Sequence, residues 1–236
     1  MRKPLETVSA DVLVLGGGAA GIRAALAAAR RGAHVTMVCA GKVPGSGSTF
    51  SPHAMGWGMQ ALAGEERTEE ALEAFYDEIM DAGLGCCDKR LVDILVRESG
   101  PRWEDLVSFG LAFERAGGDR YLRVRGCFGR RERAFVARMP QIRGALGRMA
   151  RASGARVIQG LAVELLLCRG RCWGAWILTD TGEWLLARAK ATIMALGGGA
   201  AMYPDHLAHR HQKGEATAMA LRAGSVSYTH LTLPTN

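Results

Sequence analysis

Gly16, Gly18 and Gly21 form a Gly-x-Gly-x-x-Gly run, the residues of this sequence best suited to chemistry. Lacking side chains, the first allows a tight turn, the second lets a pyrophosphate approach the backbone, and the third lets a helix pack closely on a strand. Amides left unpaired at the helix start would then point at the phosphates, and the helix dipole favours their negative charge. In a chain with 31 Gly the run is a weak sign alone, so its surroundings decide.

Other residues invite other chemistry. His206, His209 and His211 crowd into one short run, which could hold a metal or form a surface loop; the loop is the expectation, with no metal. Cys168 and Cys172 flank a turn, and packing of buried strand cysteines is preferred there over a redox pair. Trp173, Trp176 and Trp184 fall in the same stretch and read as packing residues. Twelve arginines lie between Arg115 and Arg156. They suit either a solvated or partner-facing surface or the guidance of an anionic substrate; no motif that reads nucleic acid accompanies them.

The elements around the glycines strengthen the first reading. Asp11-Val-Leu-Val-Leu15 has strand character, Ile22 to Arg31 is built from strong helix formers, Gly32 suits a helix C-terminus, and His34 to Cys39 is a second buried-type strand. Strand, glycine turn, helix and strand within about 30 residues make a βαβ unit. Residues 41–64 read as irregular chain, and Arg67–Met80 as a helix. Asp88 caps a helix over Lys89–Glu98, and Pro101 opens another to Phe109. Residues 114–139 lack clean periodicity. A helix over Gln141–Ala152 precedes a short strand at Ala155–Gln159. Ala162–Cys168, Cys172–Thr179 and Glu183–Ala189 are spaced as a β-meander. A further strand, Ala191–Leu196, runs into Gly197-Gly-Gly-Ala200, and Glu215–Arg222 begins a helix.

Composition sets outer limits. The 236 residues are 48% hydrophobic and 22% charged, which is ordinary for a folded protein. Net charge is +7, and between Asp11 and Glu65 there is no carboxylate, so an anionic partner is favoured. No apolar run reaches the roughly 18 residues of a membrane span, and the first residues lack a signal peptide's apolar region. Six cysteines without a C-x-x-C pair fit a reduced, cytoplasmic chain.

Asp11-Val-Leu-Val-Leu-Gly-Gly-Gly-Ala-Ala-Gly21, Gly47-Ser-Thr-Phe50 and the run from Ala189 through Gly199 to Ala223-Gly224 together resemble one family. It is the FAD-binding flavoprotein subunits of succinate dehydrogenase and fumarate reductase, with L-aspartate oxidase. Asp81-Ala-Gly-Leu, Asp88-Lys-Arg-Leu-Val and Phe109-Gly-Leu-Ala-Phe113 fit its inserted segment. The resemblance implies an α/β fold: a Rossmann-like FAD-binding domain with a β-meander, interrupted by a mostly helical capping segment. It divides the chain into FAD-binding parts at 1–64 and 141–225, with the insertion at 65–140.

Residue by residue, the resemblance places Gly16, Gly18, Ala19, Ala20 and Gly21 on the pyrophosphate. Gly47, Ser48 and Thr49 would lie beside the flavin, the backbone of Ala162 and Val163 would meet the adenine, and Gly197 and Gly198 would line the cofactor. Glu215 stands where the family has the Asp of Thr-Gly-Asp-Gly. The acidic residue expected after the second strand, for a ribose hydroxyl, is missing from Val38, Cys39, Ala40 and Gly41; Lys42 is the nearest candidate, and an NADP site would want an arginine there.

Departures refine this. Ser48 replaces the histidine that membrane-bound members link to FAD, which implies non-covalent FAD. Val124-Arg-Gly-Cys-Phe128 replaces the glutamate and Gly-Gly-His-Ser by which L-aspartate oxidase recognises its amino acid, which argues against aspartate. The family's catalytic histidine and arginines would fall beyond Gly224, so the catalytic residues are unknown here. Val226–Asn236 resembles a translated transposase sequencing adapter, and the expectation is a fragment whose natural chain continues differently after Ser225. The implied activity is hydride transfer through flavin N5 to or from a dicarboxylate or related acid. The implied partner is an iron–sulfur or other electron-transfer subunit. Such a chain would be cytoplasmic, or peripheral to a membrane complex through other chains. An NAD(P)-dependent reductase and a non-catalytic flavin-binding or interaction module are the alternatives.

Overall fold

A computed structural model describes residues 6–51 and 53–225; the adapter-like run at 226–236 lies outside them. In chain order the elements begin β1 (Glu6–Leu15), α1 (Ala19–Ala29), β2 (Val35–Cys39), β3 (Gly56–Gln60), α2 (Glu69–Ala82) and α3 (Lys89–Ser108). Next come β4 (Arg115–Gly117), β5 (Arg120–Tyr121), β6 (Arg123–Arg125), β7 (Glu132–Arg138) and α4 (Met139–Ala152). The chain closes with β8 (Arg156–Cys168), β9 (Arg171–Thr179), β10 (Trp184–Met194) and α5 (Glu215–Arg222). The described residues form two compact units, one within residues 6–54 and 146–225, the other of 55–145.

The first unit is built on parallel pairing. β2 lies beside β1, and β10 lies on β1's other side, all parallel; β8 runs parallel to β2. β9 then joins β8 and β10 antiparallel, which closes a ring in the order β1-β10-β9-β8-β2. Two long strands make the closure possible. β8 pairs with β2 through Gln159 and with β9 from Gly160, while β10 pairs with β9 over Trp184–Arg188 and with β1 as far as Met194. The sequence divides each into two short strands, because Gly160 and Lys190 interrupt the apolar pattern. Gly160 stays in the strand because a Cβ there would lie 2.7 Å from the Leu178 carbonyl oxygen: close approach of β9, not a break, explains it.

α1 buries Gly21, Ile22, Ala25 and Leu26, one stripe of an alanine-rich helix, and stops at Gly32 with φ +78°. Leu13, Leu15, Val38, Ala175, Ile177, Leu185 and Met219 share the ring's core. Each large side chain fully buried there stabilises by about 1.5–3 kcal/mol.

The second unit holds α2 and α3 against Leu62, with Leu72, Phe75, Val92 and Val96 between them. Thr68 caps α2 by accepting from the Ala71 amide, and Asp88 caps α3 by accepting from Arg90 and Leu91. α3 does not break at Pro101. Proline there removes the bond to the Arg97 carbonyl, but Arg67 Nη2 donates to that oxygen at 3.2 Å, so the helix continues to Ser108. Within the stretch read as irregular chain, Gly56–Gln60 forms β3, and the stretch at 114–139, without clean periodicity in sequence, supplies β4 to β7; β7 pairs antiparallel with β3 and β6. The second unit thus carries strands beside the two helices read from its sequence. Trp103, Phe113, Tyr121 and Phe135 form one aromatic cluster, with centroids 4.9–6.5 Å apart.

The arginines prove largely engaged. Arg123, Arg130, Arg133, Arg138 and Arg156 pair with Glu66, Asp81, Glu78, Glu114 and Glu6. Arg133 and Glu78 are buried; the Arg130 amide also donates to Glu78 at 2.5 Å, and the Arg133 guanidinium lies 4.1 Å over Phe75. Burial pushes the Glu78 carboxyl up, but the Arg130 amide and the Arg133 guanidinium outweigh it and hold the group below its ordinary value.

Cys168 is exposed, contrary to the buried packing expected of it. Cys168 pairs with Arg171 and Leu167 with Cys172, so the two cysteines point to opposite faces of the hairpin. Trp176 and Trp184 meet edge to face at 6.4 Å, and Arg171 stacks 4.4 Å over Trp173. Among the described residues no helix is long and apolar enough to cross a membrane.

Candidate functional site

In the first unit the chain reverses its order at β1: α1 leads to β2 on one side, and β10 joins from the far end of the sequence on the other. Where parallel strands switch order in this way, ligands bind outside the carboxyl ends of the strands, and here β10, β1 and β2 run parallel although β9 joins the ends into a ring. Here those ends carry Gly16 after β1 and Gly197 after β10.

Each glycine of the first run answers to a particular neighbour. Gly16 has φ +117°, and a Cβ there would sit 2.1 Å from the Ala195 carbonyl oxygen, because the Ala195 amide bonds Leu15 at 2.7 Å. A Cβ on Gly21 would sit 1.9 Å from the Gly16 oxygen, so helix and strand touch there. Gly17, an "x" of the motif, is equally constrained: its Cβ would lie 2.6 Å from Cys39 Sγ. Only Gly18 leaves room, with Thr49 Oγ1 at 3.3 Å as the nearest atom.

The start of α1 supplies donors. The first helical bond runs from the Ile22 amide to the Gly18 oxygen at 2.9 Å, and the amides before it fall outside that ladder. The Ala19 amide donates to Thr49 Oγ1 at 3.1 Å, so the protein itself engages one of the amides assigned to phosphate. Those of Gly18, Ala20 and Gly21 also precede the Ile22 bond. This open glycine face, these amides and a surrounding span without carboxylates fit the diphosphate of a dinucleotide.

A second loop closes on the first. Gly47 has φ +87°, and its Cβ would approach the Gly18 Cα at 3.9 Å. Ser46 Oγ meets the buried Cys39 Sγ at 2.9 Å, which ties this loop to the end of β2 where an acidic residue was expected. Ser48 Oγ donates to Gln212 Oε1, and a Cβ on Gly197 would lie 2.2 Å from Gln212 Nε2. Gln212 thus joins the Ser48 loop to the Gly197 loop. Nothing in its residue type announces this; its place just before Lys213-Gly-Glu215 was the only signal.

The remaining candidates lie around this centre with differing involvement. Gly198 faces open space. Ala162 and Val163 follow the point where β8 leaves β2, and Val163 falls at an irregularity in the β8–β9 register, its carbonyl accepting from Arg222 Nη2 at 3.1 Å. Glu215 is exposed and accepts from the Lys213 amide at 3.1 Å, so it turns back onto the start of α5. Lys42 is exposed beyond β2. The structure therefore gathers Gly16, Gly18, Ala19, Gly21, Gly47, Ser48, Thr49 and Gly197 through direct neighbours. The contacts described do not tie Lys42 or Glu215 to them.

His209 and His211 stack at 5.0 Å, and Ser51 Oγ donates to the Leu207 carbonyl at 2.8 Å, which anchors the histidine loop. Burial, with His211 and Arg210 beside it, holds His209 below its ordinary value. No group of three or more His, Cys, Asp or Glu among the described residues is arranged to hold a metal ion.

Comparison with known proteins settles the family. The FAD binding domain family matches residues 11–233. The chain belongs to this FAD-binding family. L-aspartate oxidase of Caulobacter vibrioides is 31% identical over 224 residues, which cover 91% of this chain and 42% of that relative. A subunit of the fumarate reductase (CoM/CoB) of Methanothermobacter marburgensis is 26% identical, over 93% of this chain and 41% of its own length. The chain thus spans about two fifths of these relatives. Among solved structures, the Mycobacterium smegmatis Sdh1 complex in the apo form aligns with a TM-score of 0.80 at 25% identity, over 93% of this chain and 39% of that one. An E. coli quinol fumarate reductase chain aligns at 0.81 with 22% identity, a likeness of fold alone.

Proposed function

We propose that this chain is the cofactor-binding part of an FAD-dependent oxidoreductase that acts on a dicarboxylate or a related acid. The observation that carries the reading is the family match across the region in which Gly16, Gly18, Gly47 and Gly197 meet at the carboxyl ends of β1 and β10. Bound FAD supplies hydride transfer through its flavin ring. The chain's own residues bind and orient it. Gly16 and Gly21 set the distance between strand and helix, and the amides at the start of α1 donate to the diphosphate. Gly47, Ser48 and Thr49 form the facing wall, and Gly197 and Gly198 leave its opposite side open. Ser48 stands where covalent relatives have histidine, so the cofactor is held without a covalent bond.

The similarity to both an L-aspartate oxidase and a fumarate reductase supports a small acid as substrate, and Val124–Phe128 in place of an amino-acid-recognising segment favours one without an ammonium group. The electron partner by the same reasoning is an iron–sulfur or other electron-transfer subunit. Two measurements test the proposal. Denaturing the purified protein releases unmodified FAD. The 236 residues alone, without the family's catalytic histidine and arginines, show no turnover, whereas in a chain completed to the relatives' length anaerobic mixing with succinate bleaches the flavin band, or fumarate reoxidises the reduced flavin. A protein that carries no flavin and acquires none on reconstitution would end the reading.

A further inference from the structure

We propose that Gln212 contacts the bound cofactor directly and that Ser48 acts through it as a positioning residue. This inference rests on the FAD reading above. Gln212 is only 7% exposed. Its backbone is fixed on both sides, the amide donating to His209 and the carbonyl accepting from Ala201, each at 2.9 Å. Its Oε1 accepts from the Ser48 hydroxyl, which fixes the plane of the carboxamide. Its Nε2 has no hydrogen-bond partner among the described residues and is not sealed from solvent.

The position of that nitrogen is what matters. Only the absence of a side chain at Gly197 admits it, since a Cβ there would stand 2.2 Å away. A residue serving as filler would be apolar, because an amide's two donors are costly to bury without acceptors. A glutamine held by its oxygen to Ser48, with its donor nitrogen against Gly197, is arranged to meet an acceptor that the described residues do not provide. FAD bears such acceptors on its ring system and its diphosphate. Ser48 then has a role other than touching the cofactor: its hydroxyl fixes which end of the carboxamide faces inward.

The test is fluorescence titration of FAD into apoprotein, with Gln212→Glu as the key variant. Glutamate keeps an acceptor for Ser48 but replaces the free donors with an acceptor, so a purely structural role is rescued and a cofactor-facing role is not. The expected result is an apoprotein melting temperature like that of the wild type and an FAD dissociation constant raised about tenfold or more. Ser48→Ala raises it about threefold and Ser48→Thr restores it, as a positioning role requires. If Gln212→Glu fails to fold, Gln212→Met gives the same readout. A dissociation constant within about twofold of wild type, in a wild-type protein that does bind FAD, overturns the inference alone. Absence of binding by the wild type overturns the cofactor reading and this inference with it.

Discussion

The two units of this chain share one way of packing closely and differ in another. Both bring backbones together at glycines: Gly21 on Gly16, Gly16 on Ala195 and Gly160 on Leu178 in the first, Gly56 on Ala137 and Gly100 on Leu62 in the second. The second adds close contacts between side chains: the Arg133–Glu78 pair sealed under Phe75, the cluster of Trp103, Phe113, Tyr121 and Phe135, and Arg67 capping the carbonyl that Pro101 strands. What sets the first apart is where its glycines stand: Gly16 and Gly21 lie where β1 ends and α1 begins, whereas Gly56 lies in a strand against β7 and Gly100 inside α3. A glycine marks a candidate site by its place at a strand end, not by the closeness of its neighbour.

Four substitutions probe this contrast. Gly21→Val should have the largest effect, a loss of more than about 4 kcal/mol in urea unfolding together with loss of FAD binding, because the new atoms would overlap the Gly16 carbonyl. A stable, FAD-binding variant would show that α1 can lift away from β1 at little cost. Arg133→Ala comes next, at about 3–5 kcal/mol, because it leaves the Glu78 carboxylate buried without its partner. Equal stability of variant and wild type would remove the ion pair from the account.

The pH dependence follows from the same pair. Glu78 titrates below its ordinary value when folded, so its contribution is complete above the normal carboxylate range and is lost as pH falls through the lowered folded value. Thermal melts from neutral pH downward should steepen in acid for the wild type and flatten for Glu78→Gln; parallel curves would refute the assignment. The smallest effect belongs to Gly198→Ala. With nothing near its Cβ, stability should stay within about 0.5 kcal/mol while FAD binds more weakly, and an unchanged dissociation constant would take Gly198 out of the cofactor site.

Much of the first unit was legible in the sequence, for a physical reason. The strand at Asp11–Leu15, the alanine helix and the strand ending at Cys39 obey local rules of pattern and propensity, and the glycine run lies where those rules place it. What escaped were effects of distant neighbours. Gly160 and Lys190 looked like breaks, because only β9 and β1 beside them show that the strands continue. Pro101 looked like a helix start, because the Arg67 side chain that rescues the helix lies far away in sequence. β3, β6 and β7 were hidden because Gly56-Trp-Gly58 and the alternating arginines are poor strand signals until they pair. Of the site, the glycines could be read directly, whereas Gln212 was hinted at only by its place before Lys213-Gly-Glu215 and takes its meaning from Ser48 and Gly197.

The uninterrupted course of β8 and β10 has a consequence for the protein's behaviour outside its function. β8 meets β2 only over Arg156–Gln159 and β9 only from Gly160 on, and β10 beyond Arg188 pairs with β1 alone, so each exchange of partner keeps the one-sided stretches of the ring short. Longer-lived invitations to a stranger's strand lie in the other unit, where β3 and β6 are the open edges of a three-stranded sheet. Strand addition between folded chains would begin there.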